Sequence, residues 1–331
     1  DGFVESRVKG AGSMVNRETG PSKHTVPEEG SPCRSSVSVP ATCGELAQGV
    51  LCGTPCLVSC PIDLYSTAQV ATLAPPFFSV PAGRIKAAVA LRAGLEYLGR
   101  PDVGTSLSLL SKVPIGRGYG SSTADVAATL YALGDALDRP LEATEVGSLA
   151  VSVEPSDSSL FPDLTVFDHR HGSFHLTLGP APNLAVVVLD PGGEVDSVLY
   201  NRIDRSAAQK RLEPDYAEMF GLLRQGVTNS DVEAVGAAAT LSAVLHQDLL
   251  HNPLLDAAIA LGKAVGAVGV CRAHSGTILG LLFDPATTDL ATAITCVRRG
   301  VPGSVSVTAY SLVGGGPRVR SIDRKEGRIG P

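Results

Sequence analysis

The feature that most constrains this chain is a segment rich in glycine and hydroxyl groups at residues 114–125, Pro-Ile-Gly-Arg-Gly-Tyr-Gly-Ser-Ser-Thr-Ala-Asp. Residues 106–112 are predicted to form a strand before it, and the alanine-rich run at 123–137 predicts a helix after it. Three glycines at alternate positions permit positive φ angles and let backbone N–H groups approach a ligand closely. The amino-terminal end of the helix attracts anions. The segment therefore predicts a phosphate-binding loop.

The loop differs from two better-known phosphate-binding motifs. A Walker A loop requires a lysine after its last glycine, and here Gly120 is followed by Ser121. A dinucleotide fingerprint requires the spacing Gly-x-Gly-x-x-Gly, which alternate glycines do not provide. A turn that only caps a helix is the structural alternative, but a cap does not require three glycines and three consecutive hydroxyl residues. We assign nucleotide contacts to Pro114, Ile115, Gly116, Arg117, Gly118, Tyr119, Gly120, Ser121, Ser122, Thr123 and Ala124.

The composition of the chain argues against several classes of function. The net charge of -6, with no basic cluster, argues against a nucleic-acid partner. No apolar run reaches the roughly 18 residues that a membrane span needs. Seven cysteines are an odd number, which disfavours a secreted disulfide framework. We expect a cytoplasmic protein without a nucleic-acid or membrane partner, and its oligomeric state is left open.

Periodicity divides the chain into four parts and indicates an α+β fold with two lobes. Residues 1–36 are polar and lack periodicity, so they are expected to form a disordered leader. The amino-terminal lobe is predicted at 37–180 and the carboxy-terminal lobe at 181–315. A polar tail is predicted at 316–331.

Several elements can be predicted inside the two lobes. Short strands are expected at 37–39 and 50–59, where apolar residues follow a strand pattern. After Asp190 the periodicity becomes helical, and the first helix is predicted as one continuous element at 206–225. The last ordered element is a strand predicted at 304–310.

Two further motifs flank the loop in the sequence. Residues 40–49 read Pro-Ala-Thr-Cys-Gly-Glu-Leu-Ala-Gln-Gly, and residues 273–277 read Ala-His-Ser-Gly-Thr. Together with the loop they resemble, in the same order, the motifs of the GHMP kinases, which include galacto-, homoserine, mevalonate and phosphomevalonate kinases. Tyr119 and Thr123 stand where the loop of this family usually has leucine and alanine.

Four shorter strings carry a narrower resemblance. Residues 43–49, 57–61, 154–157 and 272–277 are similar to the L-threonine kinases of cobalamin biosynthesis. The resemblance implies a kinase that uses ATP and Mg²⁺ to convert L-threonine into O-phospho-L-threonine, which supplies the aminopropanol linker of cobalamin. It also implies an amino-terminal lobe with a left-handed β-α-β unit and a ferredoxin-like carboxy-terminal lobe. Another GHMP kinase, for homoserine or a sugar, and a non-catalytic metabolite-binding protein of the same fold are the alternatives.

A kinase of this type needs ligands for a metal ion and a group that accepts the hydroxyl proton. We assign the metal to Ser121 or Ser122 and to Glu154, and we count Ser122 and Glu154 among the catalytic residues. Asp157 is the candidate base. The alternatives for Asp157 are a residue that only orients the substrate and an aspartate that caps a turn.

The first and third motifs are expected to bind the acceptor. Glu45 can bind its ammonium group, and Arg272, with His274 beside it, its carboxylate. A surface glutamate and a structural Arg–His pair are the alternatives. Mevalonate-type members have a lysine or arginine in the first motif, and this chain lacks that charge. The predicted acceptor contacts are Thr42, Cys43, Glu45, Gln48, Arg272, His274, Ser275 and Gly276.

Three histidines follow an aspartate at residues 168–175. His169, His171 and His175 would share one face of a strand, which is an arrangement that metal sites use. Gly172 indicates a turn instead, and the implied mechanism needs no transition metal. We interpret the segment as a solvated hairpin.

Overall fold

The computed structural model describes residues 34–193 and 205–323. The predicted leader lies outside these residues except for its last three positions, which begin the first strand. The strands are β1 (Arg34–Leu51), β2 (Thr54–Leu73), β3 (Phe78–Ser79), β4 (Gly104–Ser111), β5 (Leu164–Phe167), β6 (His175–Gly179), β7 (Ala185–Asp190), β8 (Gly269–Arg272), β9 (Leu279–Phe283), β10 (Ser306–Ser311) and β11 (Arg318–Asp323). The helices are α1 (Ile85–Tyr97), α2 (Ser121–Ala136), α3 (Ala143–Val153), α4 (Ser206–Arg211), α5 (Glu213–Asn229), α6 (Val232–Leu245), α7 (Leu255–Ala264) and α8 (Leu290–Gly300), and short 3₁₀ helices span Ser158–Leu160 and His246–Asp248.

The amino-terminal half is a sheet covered by three helices. β1 pairs with β2 and β2 with β4, both antiparallel, while β3 runs parallel to β4. Because α1 connects β3 to β4, these elements form a β-α-β unit. α1, α2 and α3 bury their apolar side chains against the sheet in one core. Alanines line α2, and their small side chains let this helix lie close to the strands.

The strands of the first motif are longer than predicted. The predictions at 37–39 and 50–59 are parts of β1 and β2, which contain 18 and 20 residues. Pro40 and Gly44 indicated interruptions, but pairing continues across register irregularities between Pro40 and Ala47. Bulges take up extra residues without ending a strand. The first motif therefore lies at the irregular centre of β1.

The carboxy-terminal half confirms the expected ferredoxin-like arrangement. Its strands lie in the order β10-β7-β9-β8, and each neighbouring pair is antiparallel. Helices connect β7 to β8 and β9 to β10, which gives the β-α-β-β-α-β pattern. Apolar side chains alternate between the two faces of this sheet and form a core on each face. β8 also pairs with β1, so the two halves share one sheet.

Two further predictions need correction. The helix predicted at 206–225 is two helices, α4 and α5, because Pro214 lacks an N–H donor and starts a new helix. The predicted polar tail contains β11, which pairs antiparallel with β1. Its alternation of charged and apolar residues is the strand signal that was missed. The tail after Asp323 lies outside the described residues. Among those residues, no helix has both the length and the apolar character needed to cross a membrane.

Candidate active site

The predicted phosphate loop connects β4 to α2. Residues 112–120 have no regular secondary structure, and α2 begins at Ser121. Gly116, Gly118 and Gly120 have φ angles of +73°, +100° and +63°. In the described part of the chain no side chain caps α2, so its first-turn N–H groups face the loop uncapped. A strand, a glycine loop and an uncapped helix end form the anion-binding geometry that the sequence predicts.

The third motif packs directly on this loop. The N–H groups of Thr277 and Ile278 donate to the carbonyl oxygen of Arg117, at 2.9 and 3.2 Å. A Cβ atom at Gly118 would lie only 2.3 Å from the Cβ of Ala273. The glycine at 118 is therefore required by the contact between the two motifs, in addition to any contact with phosphate.

The first motif contacts the loop from the other side. The N–H of Thr42 donates to the carbonyl oxygen of Tyr119 at 2.9 Å. A Cβ atom at Gly120 would lie 2.5 Å from Oδ2 of Asp157 and 2.8 Å from Oγ1 of Thr42. The threonine hydroxyl and the aspartate carboxylate therefore flank the end of the loop where α2 starts.

Two loop side chains predicted to bind nucleotide have structural contacts. Arg117 forms an ion pair with Asp190 at 3.1 Å, and the hydroxyl of Tyr119 donates to the same carboxylate oxygen at 3.2 Å. Ala124 is fully buried in the core behind α2, so its predicted nucleotide contact is not supported. Ile115, in contrast, is 59% exposed beside the loop. Asp190, at the end of β7, was not predicted, and it anchors the loop to the carboxy-terminal lobe.

Ser122 and Glu154 lie in contact, as the assignment of a metal to both residues requires. The hydroxyl of Ser122 donates to one oxygen of Glu154, and the ammonium of Lys86 donates to the other oxygen. Glu154 directly follows the last residue of α3, and Ser121 is buried beside Ser122 in the first turn of α2. A hydroxyl and a carboxylate at a phosphate loop are ligands that Mg²⁺ prefers. The donor set therefore fits Mg²⁺.

Asp157 lies beside the phosphate loop, next to Gly120. It precedes a 3₁₀ helix, but its side chain makes no capping hydrogen bond in the described structure, which disfavours the turn-cap alternative. Its N–H donates to Oγ1 of Thr123 at 3.0 Å. Burial first, and the nearby charge of Glu154 second, raise the pKa of Asp157 to about 6, although a hydrogen bond with Thr123 partly opposes this.

Glu45 is buried beside Asp157, so the surface-glutamate alternative is wrong. Only 2% of the residue is exposed, and Oε2 has no hydrogen-bond partner among the described residues. Burial first, and the carboxylate of Asp157 second, raise the pKa of Glu45 well above its usual value, while a hydrogen bond with Ser59 opposes the rise. A buried carboxylate with an unused oxygen favours binding of a cation.

The remaining predicted acceptor contacts form a second group. Nδ1 of His274 lies 2.6 Å from Oε1 of Gln48, which assigns the imidazole proton to Nδ1 because the amide oxygen can only accept. The guanidinium of Arg272 donates to Oε1 of Gln247 at 2.8 Å and to the carbonyl oxygen of Leu250 at 2.9 Å. Arg272 thus holds the segment between α6 and α7.

Cys43 does not face this group. Its thiol is fully buried in the hydrophobic core, 4.0 Å from the thiol of Cys271. A substrate contact by the Cys43 side chain is therefore not supported. Ser275 and Gly276 form the turn between β8 and β9, and Gly276 packs against the backbone of Arg117.

The hairpin at 168–175 is only partly solvated. His171 and His175 are exposed, but His169 is 4% exposed and its ring lies 5.0 Å from that of His274. The solvated interpretation is therefore wrong for His169. Within residues 34–193 and 205–323, no group of three or more His, Cys, Asp or Glu side chains could hold a metal ion.

Comparison with known proteins agrees with this geometry. The family model described as the GHMP kinases N terminal domain matches residues 84–161. The chain is 34% identical to the L-threonine kinase of Salmonella typhimurium over 253 residues, which cover 76% of this chain and 84% of that protein. The chain belongs to the GHMP kinases. The L-threonine kinase of Citrobacter freundii is also 34% identical, over 74% of this chain and 85% of that protein.

A solved homoserine kinase from Cytophaga hutchinsonii shares the fold of this GHMP kinase. Its TM-score is 0.64 at 19% sequence identity, and the match covers 87% of this chain and 97% of that structure. The family assignment and the assembled phosphate loop identify the protein as an ATP-dependent kinase. Lys86 and Asp190 were missed by sequence reasoning because their partners lie 68 and 73 positions away, which no local pattern reveals.

Proposed function

We propose that this kinase transfers the γ-phosphoryl group of ATP to the side-chain hydroxyl of L-threonine. A bond forms between the threonine oxygen and the γ-phosphorus, and the bond from that phosphorus to the β,γ-bridging oxygen breaks. The products are ADP and O-phospho-L-threonine. The observation that carries the proposal is the buried, incompletely bonded carboxylate of Glu45 beside Asp157 at the phosphate loop.

The ATP end of the reaction relies on the loop and on α2. The loop backbone and the uncapped end of α2 bind the phosphates. Ser122 and Glu154 would hold Mg²⁺, which would neutralise phosphate charge and orient the triphosphate. Lys86 supplies a positive charge next to Glu154. This charge takes the place of the basic residue that the first motif lacks.

At the acceptor end, Asp157 receives the proton of the threonine hydroxyl as the oxygen attacks. A pKa of about 6 leaves this carboxylate mostly ionised at neutral pH and still basic enough to take a proton. Thr42 lies next to Asp157 at Gly120, and its Oγ1 has no hydrogen-bond partner among the described residues. Thr42 is therefore suited to orient the same hydroxyl.

Glu45 binds the ammonium group of the acceptor. An ammonium ion beside Glu45 would lower the pKa of its carboxylate and complete its hydrogen bonding. This requirement favours an amino acid over a sugar. We also propose, from the sequence resemblance, that the product supplies the cobalamin linker. A cytoplasmic location is part of the same proposal.

A panel of acceptors tests the proposal. Purified protein with ATP and Mg²⁺ is assayed for ADP release with L-threonine, L-serine, L-homoserine and galactose. We expect the highest kcat/KM with L-threonine and no stimulation by galactose. A higher kcat/KM with homoserine would leave the kinase assignment intact and overturn the acceptor.

A further inference from the structure

An amino-acid acceptor brings a carboxylate as well as an ammonium group into the site. Arg272 is the predicted partner of the carboxylate, but both of its terminal nitrogens already donate to Gln247 and Leu250. A second arginine, Arg170, follows His169, whose ring lies 5.0 Å from that of His274.

The turn that carries Arg170 is rigid. The buried carboxylate of Asp168 accepts hydrogen bonds from the N–H groups of Arg170, His171 and Ser173, each at 3.1 Å, and from the Ser173 hydroxyl at 2.7 Å. These bonds fix the backbone of the turn. The position of Arg170 is therefore set before any ligand binds.

The same turn is attached to the catalytic segment and to the third motif. The N–H of Ser156, one residue before Asp157, donates to the carbonyl oxygen of His169 at 2.9 Å. The ring of His169 packs edge-on against the ring of His274. Arg170 thus follows His169, which contacts both the segment that carries Asp157 and the third motif at His274.

The side chain of Arg170 is partly buried and has no hydrogen-bond or ion-pair partner among the described residues. Its Nε is buried and has no hydrogen-bond partner, and no ion pair of Arg170 occurs within residues 34–193 and 205–323. Burial lowers the pKa of His274 well below its usual value, and the nearby His169, His246 and Arg170, in that order, lower it further. The guanidinium of Arg170 therefore acts electrostatically on His274.

Gln48 provides a second unused donor in the same place. Its Oε1 is bound to Nδ1 of His274, which fixes the orientation of the amide. Its Nε2 is buried without a hydrogen-bond partner among the described residues. A guanidinium and an amide N–H₂ near one histidine are donors suited to a carboxylate.

We propose that Arg170 binds the carboxylate of the acceptor amino acid, with the amide of Gln48 as a second donor. This inference rests on the proposed function, since it requires an amino acid in the site. Glu45 and Gln48 belong to the same strand, so β1 would present the ammonium partner and one carboxylate partner together.

The test compares L-threonine with L-threoninamide, which has a neutral carboxamide in place of the carboxylate. Initial rates are measured for the wild-type protein, Arg170→Ala, Arg170→Lys and the control Arg299→Ala, which removes an exposed arginine of α8. We expect Arg170→Ala to lower kcat/KM for threonine by about 30-fold or more, mainly through KM. The same variant should change kcat/KM for threoninamide by less than about threefold, and Arg170→Lys should recover part of the loss.

The outcomes distinguish a failure of the proposed Arg170 role from a failure of the proposed threonine kinase activity. Equal losses for threonine and threoninamide, or no loss for either, would overturn the role of Arg170 while leaving the threonine kinase intact. If Arg170→Ala does not fold, as judged by its KM for ATP and its melting temperature, Arg170→Lys is compared with both substrates in the same way. Failure of the wild-type protein to phosphorylate threonine would overturn the proposed function and this inference together.

Discussion

Glu45 and Arg272 stand directly opposite each other in the antiparallel pair between β1 and β8, where the two lobes join into one sheet. Both residues are almost fully buried, at 2% and 1% exposure. Arg272 directs its guanidinium to Gln247 and Leu250, and Glu45 lies beside Asp157. The lobe junction thus places an arginine whose terminal nitrogens donate within the protein opposite a carboxylate whose Oε2 has no hydrogen-bond partner among the described residues.

Replacement of Glu45 by glutamine tests the ammonium contact. We expect KM for L-threonine to rise by about tenfold or more, because the substrate ammonium loses a buried charged partner. KM for ATP should change little. (R)-3-hydroxybutanoate, which is threonine without its amino group, serves as the control acceptor, and its weaker turnover should be the same in both proteins. Equal effects on both acceptors would contradict the contact.

The same variant should stabilise the protein without ligand. Burial raises the pKa of Glu45 in the folded protein. Glu45 therefore lowers the stability of the folded protein at every pH above its pKa in the unfolded chain, and this range includes neutral pH. Glutamine has the same shape and no charge, so the melting temperature of Glu45→Gln should rise at pH 7 and differ less at pH 4. A lower melting temperature at pH 7 would mean that Glu45 has a structural partner.

Asp157 should set the acidic limb of the pH profile. The base must be ionised to accept a proton, so kcat/KM for threonine should fall as the pH drops through about 6. Asp157→Asn should lower kcat by about 10² or more with little change in KM, and its profile should lose this limb. A normal kcat in this variant would leave Asp157 with an orienting role at most.

Adjacent serines provide a matched pair for the metal site. Ser122 contacts Glu154, so Ser122→Ala should raise the Mg²⁺ concentration needed for half-maximal rate and lower kcat by about tenfold or more. Ser121→Ala should have a smaller effect on both quantities. A Gly118→Val variant would not test phosphate binding in the same way, because the valine side chain would collide with Ala273 whether or not ATP is present. Identical results for the two serine variants would contradict the assignment to Ser122.

Arg272 and Arg170 should behave differently when each is changed to lysine. Arg272→Lys loses the hydrogen-bond geometry that holds Gln247 and Leu250 in a buried setting, which should cost about 1–3 kcal/mol of stability. Arg170→Lys should leave the melting temperature nearly unchanged. Urea denaturation of both variants measures the difference. A stable Arg272→Lys protein with a high KM for threonine would restore Arg272 as the carboxylate ligand.

The sequence was sufficient to predict the features that depend on local pattern. The phosphate loop follows from its alternating glycines, and α2 from its alanine-rich composition. The length of β1 could not be read from the sequence, because Pro40 and Gly44 look like strand breakers until the bulges that accommodate them are known. Lys86 and Arg170 carried no local signal, since their roles depend on residues brought near only by folding.

The most direct test of the account is identification of the product. The protein is incubated with ATP, Mg²⁺ and L-threonine, and the mixture is analysed by ³¹P NMR and mass spectrometry, with Asp157→Asn as the matched control. We predict one phosphomonoester, O-phospho-L-threonine, formed in equal amount to ADP by the wild-type protein and far more slowly by the variant. ADP formed together with inorganic phosphate and no phosphothreonine would contradict the assignment of threonine as the acceptor.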